Sequence, residues 1–242
     1  GVMPTVAFVI QAFSSPGDGV IVQPPVYYPF YSVVEKNKRK LLLNTLIQNG
    51  SGEYGINFGE LEECMKQGAR LLLLCSPHNP VGRVWSREEL LEIGRLCEKY
   101  DVLVIADEIH ADIIFPGNRH ISFGSLPEPF SSRSITALAP SKTFNIPGLT
   151  VSQVVIPDKD LRKRYSDYVH RFSMEIKNLF SVIGMESAYR YGAPWLNELL
   201  VYLRGNIDYL ESFLKEELPD VRVHKPEGTY LVWLDFRALD GD

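Results

Sequence analysis

Leu71-Leu72-Leu73-Leu74-Cys75 is an unbroken apolar run, closed at once by Ser76-Pro77-His78-Asn79-Pro80-Val81-Gly82. A strand with one wet face alternates apolar and polar residues, because successive side chains point to opposite faces. A run without alternation needs cover on both faces, the mark of a parallel sheet sandwiched between helices. Its length suits a strand, and the Pro- and Gly-rich closure stops it from continuing as a helix. Val102 to Ala106 repeats the pattern and ends in Asp107-Glu108-Ile109-His110. Ile135 to Leu138 repeats it again and ends in Ala139-Pro140-Ser141-Lys142.

Amphipathic stretches separate these runs. Asn57 and Glu60 have capping-box spacing in a segment that carries Phe58, Leu61 and Cys64 or Met65 on one face. Ser86 and Glu89 repeat that spacing ahead of Leu90, Ile93 and Cys97. Thr5 to Phe13 has helical character and is stopped by Ser14-Ser15-Pro16-Gly17-Asp18, and Phe30 to Glu35 also has helical character. Val20 to Val22, Lys40 to Ile47 and Val151 to Ile156 are further strand candidates. The alternation predicts an α/β fold with a mostly parallel central sheet flanked by helices over residues 1–194. Helical patterns dominate from Asp158 to about Leu218, broken near Gly192-Ala193-Pro194, and strand candidates Val221 to His224 and Thr229 to Phe236 follow. Residues 195–242 therefore read as the start of a smaller α+β C-terminal domain. Gly1-Val2-Met3-Pro4 is not a natural initiator, and Asp240-Gly241-Asp242 follows a strand with no closing element. The expectation is a piece of a longer protein that lacks both ends.

Composition narrows the function classes. Hydrophobic residues at 45% and charged residues at 23% suit a soluble globular protein with a sizeable core. A net charge of -5 with no basic stripe argues against nucleic acid as a partner. The densest basic run, Lys36-Asn37-Lys38-Arg39-Lys40, reads as a solvated turn before a strand. No apolar stretch has the length of a membrane span, so no membrane association is expected. Cys64, Cys75 and Cys97 are odd in number and lack metal-ligand spacing, which predicts reduced thiols, a cytoplasmic protein and no metal site.

In parallel sheets ligands sit outside the carboxyl ends of the strands. Asn79, Asp107 and Lys142 each follow such an end and can converge on one crevice. A strand-end lysine can form a Schiff base with an aldehyde, and a strand-end aspartate can pair with a cationic ring nitrogen. Together they describe a site for pyridoxal 5'-phosphate. Asp107 beside that cation is expected to stay ionised, since an opposite charge lowers a carboxylate pKa. Asn79 and His110 can each reach the ring oxygen next to the aldehyde, and Tyr27 offers a flat face for stacking. The helix start at Val2 and Met3 offers free backbone N–H groups to a phosphate, and Ser141 adds a hydroxyl.

Pro25-x-Tyr27, His78-Asn79-Pro80-x-Gly82, Asp107-Glu108-x-His110 and Ser141-Lys142-Thr143-Phe144-Asn145 occur in that order. The set resembles the fold-type I pyridoxal phosphate enzymes, the class I/II aminotransferases and their lyase relatives. Within that group, Asp107-Glu108-Ile109-His110-Ala111-Asp112, His120-Ile121-Ser122-Phe123 and Gly228-Thr229-Tyr230-Leu231-Val232-Trp233-Leu234-Asp235 are similar to the cystathionine β-lyase-like (PatB/MalY-type) C–S lyases. The resemblance implies Lys142 as the cofactor-holding and catalytic lysine. It implies Asp107 as the ring-nitrogen partner, Asn79 as the ring-oxygen donor and Tyr27 as the stacking ring. His110 stands where many aminotransferases carry tyrosine, and Val2 and Met3 match the phosphate turn. Ala139 stands where some relatives have a phosphate-binding serine, which shifts weight to Ser141. It further implies β-elimination from a cysteine S-conjugate as the reaction, a small-molecule amino acid as substrate, and a homodimer. An aminotransferase on the same site and a non-catalytic or regulatory relative that keeps the fold are the alternatives. The arginine that clamps the substrate carboxylate in such enzymes has no counterpart here, since Arg237 lies too early for that role.

Overall fold

A computed structural model of the chain describes residues 1–49, 52–174 and 178–239. The expected ending at Asp240-Gly241-Asp242 lies outside the described residues. The first half runs α1 (Val2–Phe13), β1 (Gly19–Val22), α2 (Pro29–Lys36), β2 (Lys40–Leu43), β3 (Ile47–Gln48), β4 (Tyr54–Gly55), α3 (Phe58–Lys66), β5 (Ala69–Cys75), α4 (Arg87–Tyr100) and β6 (Leu103–Asp107). The second half runs β7 (Ser134–Leu138), α5 (Pro140–Thr143), β8 (Gln153–Val155), α6 (Lys159–His170), α7 (Leu179–Tyr191), α8 (Ala193–Glu217), β9 (Arg222–His224) and β10 (Trp233–Asp235).

Six strands form the central sheet in the order β2-β1-β5-β6-β7-β8. Every neighbouring pair is parallel except β7 with β8. The unbroken apolar runs do what their pattern requires. Leu72 and Leu74 of β5 pack with Leu90, Ile93 and Cys97 of α4 on one face. Leu71, Leu73 and Cys75 pack with Val6, Val9 and Ile10 of α1 on the other. Each leucine so buried contributes about 1.5–3 kcal/mol relative to exposure. Ser86 caps α4 in a full capping box with Glu89. At α3 only half of the expected box forms: Asn57 accepts from the Glu60 backbone N–H. The Glu60 carboxylate turns instead to the Thr45 N–H at 2.5 Å.

Three sequence expectations shift for physical reasons. The second strand ends at Leu43 rather than Ile47: Asn44 still donates its N–H to Val22 O at 3.0 Å, but its buried side chain is committed to Asn57 O at 2.9 Å. The basic turn is not wholly solvated: Arg39 is half-buried and its guanidinium ties off the end of α1, donating to Ser14 Oγ at 2.9 Å and Ser14 O at 2.6 Å. The last strand is shorter than expected, since Thr229 takes a φ of 69° and breaks the extended run before β10.

The register sets the site. Cys75 pairs with Asp107, and Asp107 with Ala137, so β5, β6 and β7 end level with one another. From β1 the chain moves to one side of the sheet to make β2, then returns past β1 to build β5, β6 and β7 on the other. The strand order therefore reverses between β1 and β5, the kind of switch point at which the loops splay and leave a crevice. Outside this sheet, β3 pairs with β4 and β9 with β10 as separate two-stranded ribbons. The position 194/195 falls within the first turn of α8. No helix among the described residues is long and apolar enough to cross a membrane.

Candidate active site

A cavity of about 340 Å³ lies beyond the carboxyl ends of β1, β5, β6 and β7. Val2, Met3, Tyr27, Asn79, Asp107, His110, Ser141 and Lys142 all line it. Residues from five separate segments are thus brought to one wall system by the level strand ends.

Lys142 sits in α5, a single helical turn that follows β7 directly. The Thr143 hydroxyl donates to Asp112 Oδ2 at 2.8 Å, fastening this turn to the segment after β6. Lys142 Nζ lies 5.9 Å from the centroid of the Tyr230 ring.

Asp107 is the last residue of β6 and accepts from the Ile109 N–H at 3.1 Å. It is buried, and desolvation pushes its carboxyl up from 3.8 to about 7. The negative Glu108 adds to the rise, while the Ile109 hydrogen bond and the positive Lys142 oppose it. The expectation of an ionised Asp107 concerned the carboxyl beside a cofactor cation; without one, burial favours the protonated form. A cation directly against the carboxylate is needed to bring it down again. Glu108 points the other way, accepting from the Phe123 N–H at 2.8 Å and from His120 Nε2 at 3.0 Å, which pins the segment that leaves the site.

His110 is buried, and its Nδ1 has no hydrogen-bond partner. Burial, helped by the charge of Lys142, lowers its pKa to about 4, so the ring is neutral at neutral pH. Its ring meets Tyr230 edge-on at 5.3 Å. The Tyr27 phenol is raised above its ordinary range by burial, and Lys142 partly offsets this.

Asn79 is held by its neighbours rather than by its own side chain. Its N–H donates to Cys75 Sγ at 3.3 Å, and that thiol donates to Pro77 O at 3.4 Å. Burial, with Asp107 alongside, pushes the Cys75 thiol up, which keeps it a donor. His78 braces the turn from behind. Its Nε2 lies 3.0 Å from Pro25 O, and since a carbonyl only accepts, Nε2 carries the proton. Burial lowers this imidazole to about 4. The bond joins the turn of Asn79 to the turn of Tyr27.

Val2 and Met3 open α1, whose first N–H groups have no partner within the helix and whose dipole presents its positive end to the cavity. The sequence did not single out Cys75 or Ile109, which also line the cavity, nor His78 or Tyr230. Cys75 was legible only as a core residue. Tyr230 lies in a motif quoted for the resemblance, but nothing local tied it to Lys142.

Chemically, the site offers an amine that can bond a carbonyl carbon, a buried carboxyl that is relieved by a cation, an aromatic face, and a helix N-terminus suited to an anion. The family model for aminotransferase class I and II matches residues 1–241. The chain is 47% identical over 239 residues to the cystathionine beta-lyase PatB of Bacillus subtilis, covering 98% of this chain and 62% of that protein. Among solved structures, a PLP-bound putative aminotransferase from Clostridium difficile superposes with a TM-score of 0.96 at 42% identity, over 99% of this chain and 62% of that one. Cystalysin from Treponema denticola, whose structure contains a pyridoxal 5'-phosphate cofactor, gives 0.96 at 37% identity, over 100% and 61%. The chain thus spans about 62% of the length of the relatives it matches. With a match along nearly the whole chain and the motifs gathered round one crevice, the chain belongs to the aminotransferase class I and II family.

Proposed function

We propose that the protein containing this chain is a pyridoxal phosphate-dependent carbon–sulfur β-lyase. It cleaves cystathionine or a related cysteine S-conjugate to a thiol, pyruvate and ammonia. The convergence of Lys142, Asp107, Asn79, His110 and Tyr27 on one cavity at the switch point carries this reading. The lyase name of the Bacillus subtilis relative supports the reaction.

The residues present fit the cofactor. A buried carboxyl at about 7 gains from a cationic ring nitrogen, and His110 lines the same cavity with a neutral ring. Lys142 would hold the group through its amine, Asp107 its ring nitrogen, Asn79 and His110 its ring oxygen. Tyr27 would cover one face, and Val2, Met3 and Ser141 would receive its phosphate. When bound, the group supplies an electron sink that makes the substrate α-proton acidic. Lys142 Nζ, set free once the substrate's own amine has taken its place on the group, would take that proton. The Cβ–S bond then breaks, its electron pair leaves with sulfur, and the thiolate is protonated. Water converts the remaining three-carbon fragment to pyruvate and ammonia. Asp107, a buried carboxyl, would pair with a protonated ring nitrogen and favour that protonated form.

Incubating the holoenzyme with cystathionine and no amino acceptor is expected to give pyruvate and thiol in equal amounts. Turnover only with an added oxo acid would assign an aminotransferase instead. Cofactor binding without turnover of either kind would favour a regulatory relative. A homodimer, a cytoplasmic location and a small C-terminal domain starting near residue 195 belong to the same proposal. The last is supported by the β9–β10 ribbon, which is separate from the central sheet.

A further inference from the structure

Thr229 is a fully buried, β-branched residue held at a φ of 69°. Backbone of this kind is strained for such a side chain and persists only where its surroundings over-determine it. They do so here. The Thr229 N–H donates to Ile113 O at 2.8 Å, and the Thr229 hydroxyl accepts from the Leu231 N–H at 3.1 Å. Just before it, the N–H groups of Glu227 and Gly228 both donate to Gly82 O, at 2.9 and 3.1 Å. The Glu227 carboxylate takes the Arg83 Nε at 3.0 Å and the Val84 N–H at 2.6 Å. The Phe115 N–H donates to Glu227 O at 2.9 Å.

This lacing fastens residues 227–229 to the loops that follow β5 and β6, the loops carrying Asn79 and His110. The left-handed residue turns the chain before it enters β10, and the next side chain is Tyr230. Its ring stands over Lys142 Nζ at 5.9 Å and against the His110 ring at 5.3 Å. The negative face of an aromatic ring attracts an ammonium.

We propose that Tyr230 is a positioning residue, whose ring face, aimed by the strained Thr229 turn, holds the Lys142 ammonium at the cavity, where the amine left after loss of one proton to solvent reacts with the cofactor. The inference rests on the cofactor reading above. The strain at Thr229 is then spent on aim, since an extended backbone from Thr229 onward would run straight into β10.

The test uses the cofactor-free protein, brief exposure to low pyridoxal phosphate, borohydride trapping and peptide mapping. In the wild type Lys142 is labelled ahead of every surface lysine. Tyr230→Leu is expected to slow Lys142 labelling roughly three- to fivefold and leave surface lysines unchanged. Tyr230→Phe, which keeps the ring, recovers most of the rate. In turnover the leucine variant lowers kcat more than it changes KM. Tyr230 is 41% exposed, so the leucine side chain is tolerated by the fold. Should that variant melt early, Tyr230→Gln provides the ring-free comparison. Lys142 labelling at the wild-type rate without the ring, or equal loss in the phenylalanine variant, overturns the role of Tyr230. A wild-type protein in which Lys142 is not labelled defeats the cofactor reading instead.

Discussion

Asp107 carries a cost that only a bound cation removes. Its folded pKa of about 7 stands above its ordinary 3.8. Between those values the folded state holds a proton that the unfolded state has released. The Asp107 contribution to stability is therefore present at low pH and is lost as pH rises through about 7. Asp107→Asn removes the titration. The cofactor-free variant is expected to be more stable than wild type at pH 8, by at most about 4 kcal/mol, with the margin closing toward pH 4. Its cofactor affinity should fall. Urea unfolding at several pH values and a pyridoxal phosphate titration check both halves; a pH-independent margin would show that desolvation of Asp107 is not the cause. His78 makes a second residue-scale case. His78→Leu strands Pro25 O and is expected to cost about 1–3 kcal/mol. It should weaken cofactor binding by freeing the Tyr27 turn from the Asn79 turn. His78→Gln, with an amide donor of similar reach, should restore part of the affinity. Wild-type affinity in the leucine variant would remove His78 from the site's support.

At the scale of elements, the turn after β5 and the turn before β10 act as one clamp. Gly82 is the contact point: a Cβ there would lie 2.5 Å from Pro226 Cβ and 2.9 Å from Pro226 Cα. Its φ of 75° also disfavours any side chain. Gly82→Ala is expected to destabilise by about 1–3 kcal/mol, measured by urea unfolding. It should lower cofactor affinity as well, because the backbone that must move holds Asn79 on one side and Tyr230 on the other. Arg83 links the clamp to α4, reaching both Glu227 and Glu89. The N-cap at Ser86 is a simpler device, and Ser86→Ala should cost about 0.5–2 kcal/mol without touching cofactor affinity. A matching loss of affinity would mean that α4 shapes the site as well as the core.

Across the whole molecule, burial is uneven. β5 and β6 are covered on both faces, whereas α8 buries only Ile207 and Leu214 along its 25 residues. Trp195, Tyr202 and Tyr209 of that helix are exposed. Amides protected by a dense core open only with global unfolding, while sparsely packed elements open locally. Hydrogen exchange of this chain is expected to be slowest in 69–75 and 103–107 and markedly faster through 193–217. Equal protection throughout would contradict the uneven packing.

The amino-acid sequence by itself determined the layer architecture, because an unbroken Leu71-to-Cys75 run has one physical solution, cover on both faces. It also determined the chemistry of the three strand ends, since Asn79, Asp107 and Lys142 each follow a strand whose period is local information. What tertiary structure decided is everything that depends on distant segments. The end of β2 goes with the Asn44 side chain reaching Asn57, a partner that no local pattern names. The protonation of Asp107 depends on desolvation by the assembled sheet, which no spacing encodes. Tyr230 reads as part of a strand because extended propensity is local, while the left-handed Thr229 is held by Ile113, in the distant segment after β6.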